Sequence, residues 1–289
     1  MIKNSRTLIL ALLLCFSTIV SAERTDSHDF ITGAGAHFSW IVMDALKPIL
    51  EKASGQKLKL YGQASMLGSG CKAGIKLAME NKPGHESFGF VCCPLSDKEI
   101  EEKKLRVFPL AKEPVTILVN SANPVTNLSS QQVRDIFQGK INNWKEVGGE
   151  DSFIVTVNRL HCSKRPGHWK TILPNKEDFK KDRLNVKSAD AMVKRVSDFP
   201  SAIGHTGSAW AFKPGDKVKI ITINNIKPSG EALQKNQYPF YRELSIVTNQ
   251  TPSDSVLDII SSAQKELITH PVAKQYHLLP LGTGEYKPK

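Results

Sequence analysis

Acidic residues are scarce in this 289-residue chain: 28 Asp and Glu stand against 39 Lys and Arg, a formal charge of +11. No GxSxG turn occurs and no pair of carboxylates marks a cleft, so hydrolase chemistry has no sequence support. CxxC and HxxxH spacings are both missing, which removes the usual local signature of a metal centre. There is no arginine-rich arm and no alternation of basic and aromatic residues, so a nucleic-acid partner is not expected. Outside Leu8–Val20 no run is apolar enough to span a bilayer. The chain also lacks internal repeats and low-complexity segments.

What is present begins with Lys3 and Arg6, the short apolar run, and then Val20-Ser21-Ala22. That is a basic start, an apolar stretch short for a span, and a small-residue cleavage site, so residues 1–22 read as a secretory signal. Cys15 follows Leu14, which is not the small residue a lipoprotein site wants, and a lipid anchor is not expected. The mature chain then begins near Glu23, in a periplasmic compartment. Its charge drops to about +9, because Lys3 and Arg6 are the only charged residues removed. Such a balance suits an anionic ligand or surface, and equally suits solubility alone. Cys71, Cys92, Cys93 and Cys162 remain. An oxidising compartment favours one or two disulfides, linking Cys92 or Cys93 to Cys71 or Cys162.

The patterning alternates strands with helices, which argues for α/β layers. Strands are expected at Phe30–Thr32, Lys57–Tyr61, Phe88–Val91, Val115–Asn120, Phe153–Asn158, Ala202–His205, Val218–Ile223 and Leu244–Val247. Helical spacing marks a face of Ile41, Ala45, Leu46, Ile49 and Leu50, kinked at Pro48. Further helices are expected at Cys71–Asn81, Asp97–Lys104, from Arg159 through Leu173, at Ala189–Val196 and at Ser255–Ile268. In Asn127–Gly149, NLSSQQVRDIFQGKINNWKEVGG, Ser129 can cap a helix and Gln132 completes a capping box. Val133, Ile136 and Phe137 follow at helical spacing, Gly139 supplies the stop, and Trp144 is expected to be buried.

The residue order of that segment resembles the "Ls..q...iF.Gki..W..vgG" stretch of phosphate-type solute-binding proteins, a branch of the type II periplasmic binding proteins serving ABC importers. Gly33-Ala34-Gly35-Ala36-His37-Phe38 resembles the "GAGATF" ligand loop of the same family. The resemblance runs from Phe30 to Leu281. It implies an α/β protein of two lobes, each a mixed, mainly parallel sheet flanked by helices, with the ligand cleft between them. Residues 23–112 plus about 225–289 would form lobe one, and about 113–224 lobe two. The outward crossing would fall near Lys112–Val115 and the return between about Ile223 and Tyr241. It further implies a monomer that binds a small oxyanion by hinge closure and presents it to an ABC permease, with no catalysis and no cofactor.

In this family a tetrahedral oxyanion is held by helix-terminal amides, hydroxyls and one arginine, with a carboxylate that selects phosphate. The match is uneven. In the first loop His37 stands at a threonine, beside Phe38, and the Ala36–Ser39 amides are kept. The second loop, "GSGaGik", aligns with Gly70–Lys76, placing Cys71 at the serine and Lys72 at a glycine; a shifted alignment uses Ser69 instead. Cys92 falls at the selective aspartate of "sDaP". In "R.dgSGT...F", Arg159 and Ser163 are kept, while Lys164 replaces glycine and Arg165 threonine.

Three readings of these changes stand side by side. One is a widened cationic site of Arg159, Lys164, Arg165, Lys72 and Ser163, for an anion that need not donate a proton. Another is a site that no longer binds, on a sensor, adhesin or assembly factor. The third is a soft-metal site of His37, Cys71, Cys92 and Cys162. Cys92 or Cys162 near Arg165 would also have a lowered thiol pKa. His161 and His168 read as surface residues, His205 as packing, and Trp40, Trp169 and Trp210 as core.

Overall fold

Strong strands and capped helices alternate from Phe30 onward. The computed structural model describes residues 30–61, 70–162, 165, 167–211 and 217–288, with backbone alone at Ser39 and Trp40. The signal at 1–22, Ser69, Ser163 and Lys164 lie outside the described residues, as does the Trp40 side chain.

The first half contains β1 (Phe30–Gly35), a 3-10 turn at His37–Trp40, α1 (Val42–Ser54), β2 (Lys57–Leu60) and α2 (Cys71–Met79). After them come β3 (Ser87–Val91), α3 (Asp97–Glu102) and the long β4 (Leu105–Asn120). The second half holds β5 (Asn127–Leu128), α4 (Ser130–Gln138), β6 (Val155–Asn158), β7 (Leu184–Asn185), α5 (Ala189–Asp198) and β8 (Ala202–Gly207). It continues with α6 (Ser208–Ala211), β9 (Val218–Ile220), β10 (Thr222–Ile223) and α7 (Gly230–Gln234). Then β11 (Tyr241–Asn249), α8 (Asp254–Leu267), α9 (Pro271–Gln275) and β12 (Leu279–Pro280) lead to the end.

The main sheet has the order β2-β1-β3-β11-β4-β8-β6-β7. Its flanks are parallel, and β11, β4 and β8 run antiparallel through the middle. β4 is common to both halves. Leu105–Pro114 pairs with β11, and from Val115 the partner changes to β8. Apolar side chains separate accordingly. Phe38, Met43, Leu46, Phe88, Phe90 and Ile246 sit in one core, and Val115, Ile117, Phe137, Trp144, Tyr238 and Phe240 in another. Period-two alternation sends Leu118 to the opposite face, where it packs with Val157, Met192 and Val196. The result is a two-lobed α/β fold. Ala232, Leu233, Tyr238 and Phe240 pack in the second core.

Local rules explain several elements. The Ser129 hydroxyl accepts from the Gln132 amide at 3.0 Å, the Gln132 side chain accepts from the Ser129 amide at 2.7 Å, and Gly139 at φ 82° ends the helix. Trp144 is buried and its Nε1 donates to the Ser201 carbonyl at 2.9 Å. Between α2 and β3 the backbones touch: a Cβ at Gly89 would stand 1.9 Å from the Gly74 carbonyl oxygen. Only glycine permits that approach.

Three expectations are corrected. The buried face of α1 is Val42, Met43, Leu46 and Leu50, with Ala45 exposed and Ile49 half-buried, because the helix starts one residue after Ile41. No long helix follows Arg159. Cys162 at φ 53°, Gly167 at φ 84° and His168 at φ 55° turn left-handed, so the described helical part shrinks to a 3-10 turn at His168–Thr171. His168 is fully buried, not at the surface.

Candidate functional site

The family-like loops come together around Arg159, whose charge acts on His37 and is acted on by Cys71, Cys92 and Cys162. Gly35 ends β1, and His37 opens the turn that leads into α1. His37 is only 8 % exposed, with its ring edge-on to Trp210 at 5.9 Å. Burial first, then the Arg159 and Arg242 charges, lower its pKa to about 3, so the imidazole is neutral near pH 7. A neutral imidazole offers one donor and one acceptor, as the family's threonine hydroxyl would. Phe38 is fully buried against Phe90 at 5.6 Å, so it offers a solute its backbone rather than its ring.

Arg159 leaves the end of β6 half-buried and donates through Nε to the Lys187 carbonyl at 3.1 Å. Its remaining N–H groups have no partner among the described residues. Burial and the like charge of Arg242 lower its pKa. Among the described residues, buried polar atoms with no hydrogen-bond partner include both side-chain amide atoms of Asn158, its neighbour in sequence, and His168 Nδ1 and both ring nitrogens of His205, two rings that its charge reaches. His161, His168 and His205 form a chain of edge-on rings, 4.4 and 6.2 Å apart between centroids. His205 also packs on Phe137 at 5.5 Å; burial, followed by the charges of His161 and Arg159, lowers its pKa to about 3. An unsatisfied buried amide or imidazole costs about 1–3 kcal/mol, which favours a polar occupant here.

Arg165 is engaged elsewhere. Its Nε and Nη2 clamp Glu99 of α3 at 2.9 and 2.6 Å, a bidentate pair joining the lobe-two loop to lobe one. The hydrogen bonds of Glu99 raise the Arg165 pKa above its usual value.

The sequence did not reveal the group behind this wall. Arg242 on β11 stands in register with Glu113 on β4, and its Nε donates to Glu113 Oε2 at 2.5 Å. Glu113 is 0 % exposed and Arg242 4 %, and the Ala209 amide donates to Glu113 Oε1 at 3.0 Å. Gly207 makes room: a Cβ there would lie 2.4 Å from both Arg242 Nη2 and Glu113 Oε1. Nothing in local spacing signals a pair 129 residues apart.

All four mature cysteines are free thiols, so the expected disulfides are absent. Cys71 and Cys92 Sγ are 3.5 Å apart, against about 2.05 Å for a bonded pair. Cys71, Cys93 and Cys162 Sγ all lie within 4.8 Å of one another. Of the set that the sequence suggested, Cys71 and Cys162 are in this group and Cys93 joins them, while His37 and Cys92 are not part of it. Hydrogen bonds from Cys71 and Cys93 lower the Cys162 thiol to about 4, and the same network, with burial, pushes the Cys93 thiol up. A groove of about 570 Å³ lined by Phe30, Tyr61 and His85 lies at the opposite end of β1 from this centre.

The match that decides the family spans most of the chain: a model described as a PBP superfamily domain covers residues 21–267. The chain belongs to the PBP superfamily. It is 31% identical over 169 residues to the phosphate-binding protein PstS of Borreliella burgdorferi, covering 55% of this chain and 60% of that one. Its alignments span about half to two thirds of the curated relatives: 60%, 46% and 65% of their lengths. A Clostridium perfringens substrate-binding protein solved with bound phosphate shares the fold, with a TM-score of 0.73 at 22% identity over 87% of this chain and 99% of that one. An ABC-type phosphate transport receptor from Vibrio cholerae gives 0.64 at 26% identity, covering 86% and 99%.

Proposed function

We propose that this PBP-superfamily chain is an exported solute-binding protein that captures a small oxyanion between its lobes by hinge closure. The observation that carries this is Arg159, whose outer N–H groups have no partner among the described residues and whose charge reaches the buried His168 and His205. The names of the relatives support phosphate or an anion of the same class. Cys92 at the selective carboxylate position favours an anion that need not donate a proton. His37, Ser163, Lys164, the amides of Ala36–Ser39 and the first turn of α2 complete the proposed contacts, with Ser69 or Cys71 on the second loop. Arg165 serves as a clasp between lobes. The hinge crossings fall at Glu113–Val115 and Phe240–Arg242, and an ABC permease receives the closed monomer. Among the described residues no helix is long and apolar enough to cross a membrane.

Isothermal titration of the reduced full chain with phosphate, sulfate and a phosphonate tests this. One of the three should bind at one equivalent, and Arg159→Ala should weaken it about 10–100-fold, the worth of a charged hydrogen-bonded contact. Silence with every anion would sink the anion reading in favour of a non-transport role for the same scaffold.

A further inference from the structure

Four thiols converge at the seam between the lobes, and anion capture leaves Cys93 and Cys162 unexplained. Cys71 is the first residue of α2, Cys92 and Cys93 follow β3, and Cys162 belongs to the loop after β6. Three Sγ atoms fall within 4.8 Å of one another, and the fourth, of Cys92, is 3.5 Å from that of Cys71. Cys71, Cys92 and Cys93 are buried, and Cys162 is half-buried with its backbone turned left-handed toward them. In a tetrahedral zinc–thiolate centre with bonds near 2.3 Å, neighbouring sulfurs stand about 3.8 Å apart. Cys71, Cys93 and Cys162 are spaced as sulfurs around a shared ion, and Cys92, close to Cys71 alone, would have to move in to complete the set.

We propose that Cys71, Cys93 and Cys162, with Cys92 as fourth donor, form a site for one soft cation, Zn(II) or Cu(I), that ties the lobe-two loop to lobe one. An all-sulfur donor set excludes hard ions such as Mg²⁺ and Ca²⁺. Each thiol that binds gives its proton to solvent, and no electrons are transferred. The added negative charge faces Arg165, whose pair with Glu99 spans the same seam. Ion and ion pair together make two cross-lobe ties, so metal loading should hold the lobes together. The site does not depend on the anion reading, because Cys93 and Cys162 have no part in it.

The test uses the full chain, reduced and then freed of reductant under argon. Co(II) serves as the spectroscopic probe, and Zn(II) and Cu(I) are titrated against chromophoric chelators. One equivalent should bind with a thiolate-to-cobalt charge-transfer band and release of protons, and the tighter of Zn(II) and Cu(I) names the ion. Cys162→Ser, on the half-exposed loop, should weaken binding at least about a hundredfold, since even outer partners of metal ligands are worth 10–100-fold. Cys93→Ser should do the same, and if it fails to fold, the wild-type titration and Cys162→Ser decide. Absence of stoichiometric binding, or unchanged affinity in Cys162→Ser, overturns the proposal. So does a disulfide among these four cysteines in protein isolated from its compartment and alkylated while denatured.

Discussion

Arg242→Met is the sharpest probe of how the lobes are joined. Methionine keeps much of the arginine stem and removes the charge, leaving Glu113 fully buried with one remaining donor, the Ala209 amide at 3.0 Å. Removing one partner of a buried ion pair costs about 3–5 kcal/mol, because the other charge is stranded away from water. The retained amide bond offsets part of this, so the expected loss is about 3 kcal/mol. Equilibrium urea unfolding, read by circular dichroism and by tryptophan fluorescence, measures it as a shift in midpoint at constant slope. Arg242→Met combined with Glu113→Leu removes both charges and should recover most of the loss, since an apolar replacement of a buried pair is often neutral or better. The reasoning is refuted if Arg242→Met loses less than about 1 kcal/mol, or if the double variant is less stable than either single one.

The buried imidazoles set the response to acid. His37 and His205 stay neutral in the fold down to about pH 3, while the unfolded chain takes up a proton near 6.5. The unfolded state therefore binds more protons in that window, and stability falls with pH by about 2 kcal/mol per histidine between about pH 7 and about pH 5. Urea midpoints at both pH values check this, with His205→Asn expected to flatten the slope; equal stability would mean that the rings are charged in the fold. Ser129→Ala should cost about 1 kcal/mol through the lost cap on α4, and Ser129→Gly only a few tenths, by the same unfolding assay. Gly89→Ala places a methyl 1.9 Å from a backbone oxygen that cannot yield, and should cost more than about 4 kcal/mol or abolish soluble expression. Wild-type-like melting of that variant would disprove the close approach of α2 to β3.

Legibility in the sequence followed the range of the interaction. α4 was readable because Ser129, Gln132 and Gly139 act within ten residues, and β3 because Phe88 to Val91 is an unbroken apolar run. The first ten residues of β4 were not, since Arg106, Pro109, Lys112, Glu113 and Pro114 interrupt the strand pattern and distant pairing, with β11 and with β12, holds them extended. The loop after Arg159 misled for the opposite reason. Its composition tolerates a helix, and three left-handed residues decide otherwise. The resemblance offered Arg159, Cys71, Cys92 and Arg165 as ligand residues, and nothing local reveals that Arg165 pairs with Glu99 66 residues away. The compartment rule for cysteines speaks to oxidation, and the thiols turned out to be grouped rather than bridged.

The scaffold is conventional and its charge arrangement is not. A carboxylate at the Cys92 position would have faced Arg159 and Arg242; a thiol there leaves Glu113 as the acid in contact, and Arg242 already neutralises it. Arg159 is then a cation without an acidic partner among the described residues, in surroundings where His37 and His205 are neutral, which favours an anion without specifying a protonated one. The thiols supply an adjustable charge beside it. With Cys162 held near pKa 4, one thiolate already stands within electrostatic reach of Arg159, and every further thiol that ionises opposes anion entry. A cation bound among them would ionise all four thiols and offset only part of their charge, while drawing the Cys162 loop against α2. Anion affinity should therefore fall on metal loading, less with Zn(II) than with Cu(I), because the divalent ion neutralises one more thiolate. Titrating the same anion into the reduced, Zn(II)-loaded and Cu(I)-loaded chain measures that order directly, and the reverse order would separate the two sites.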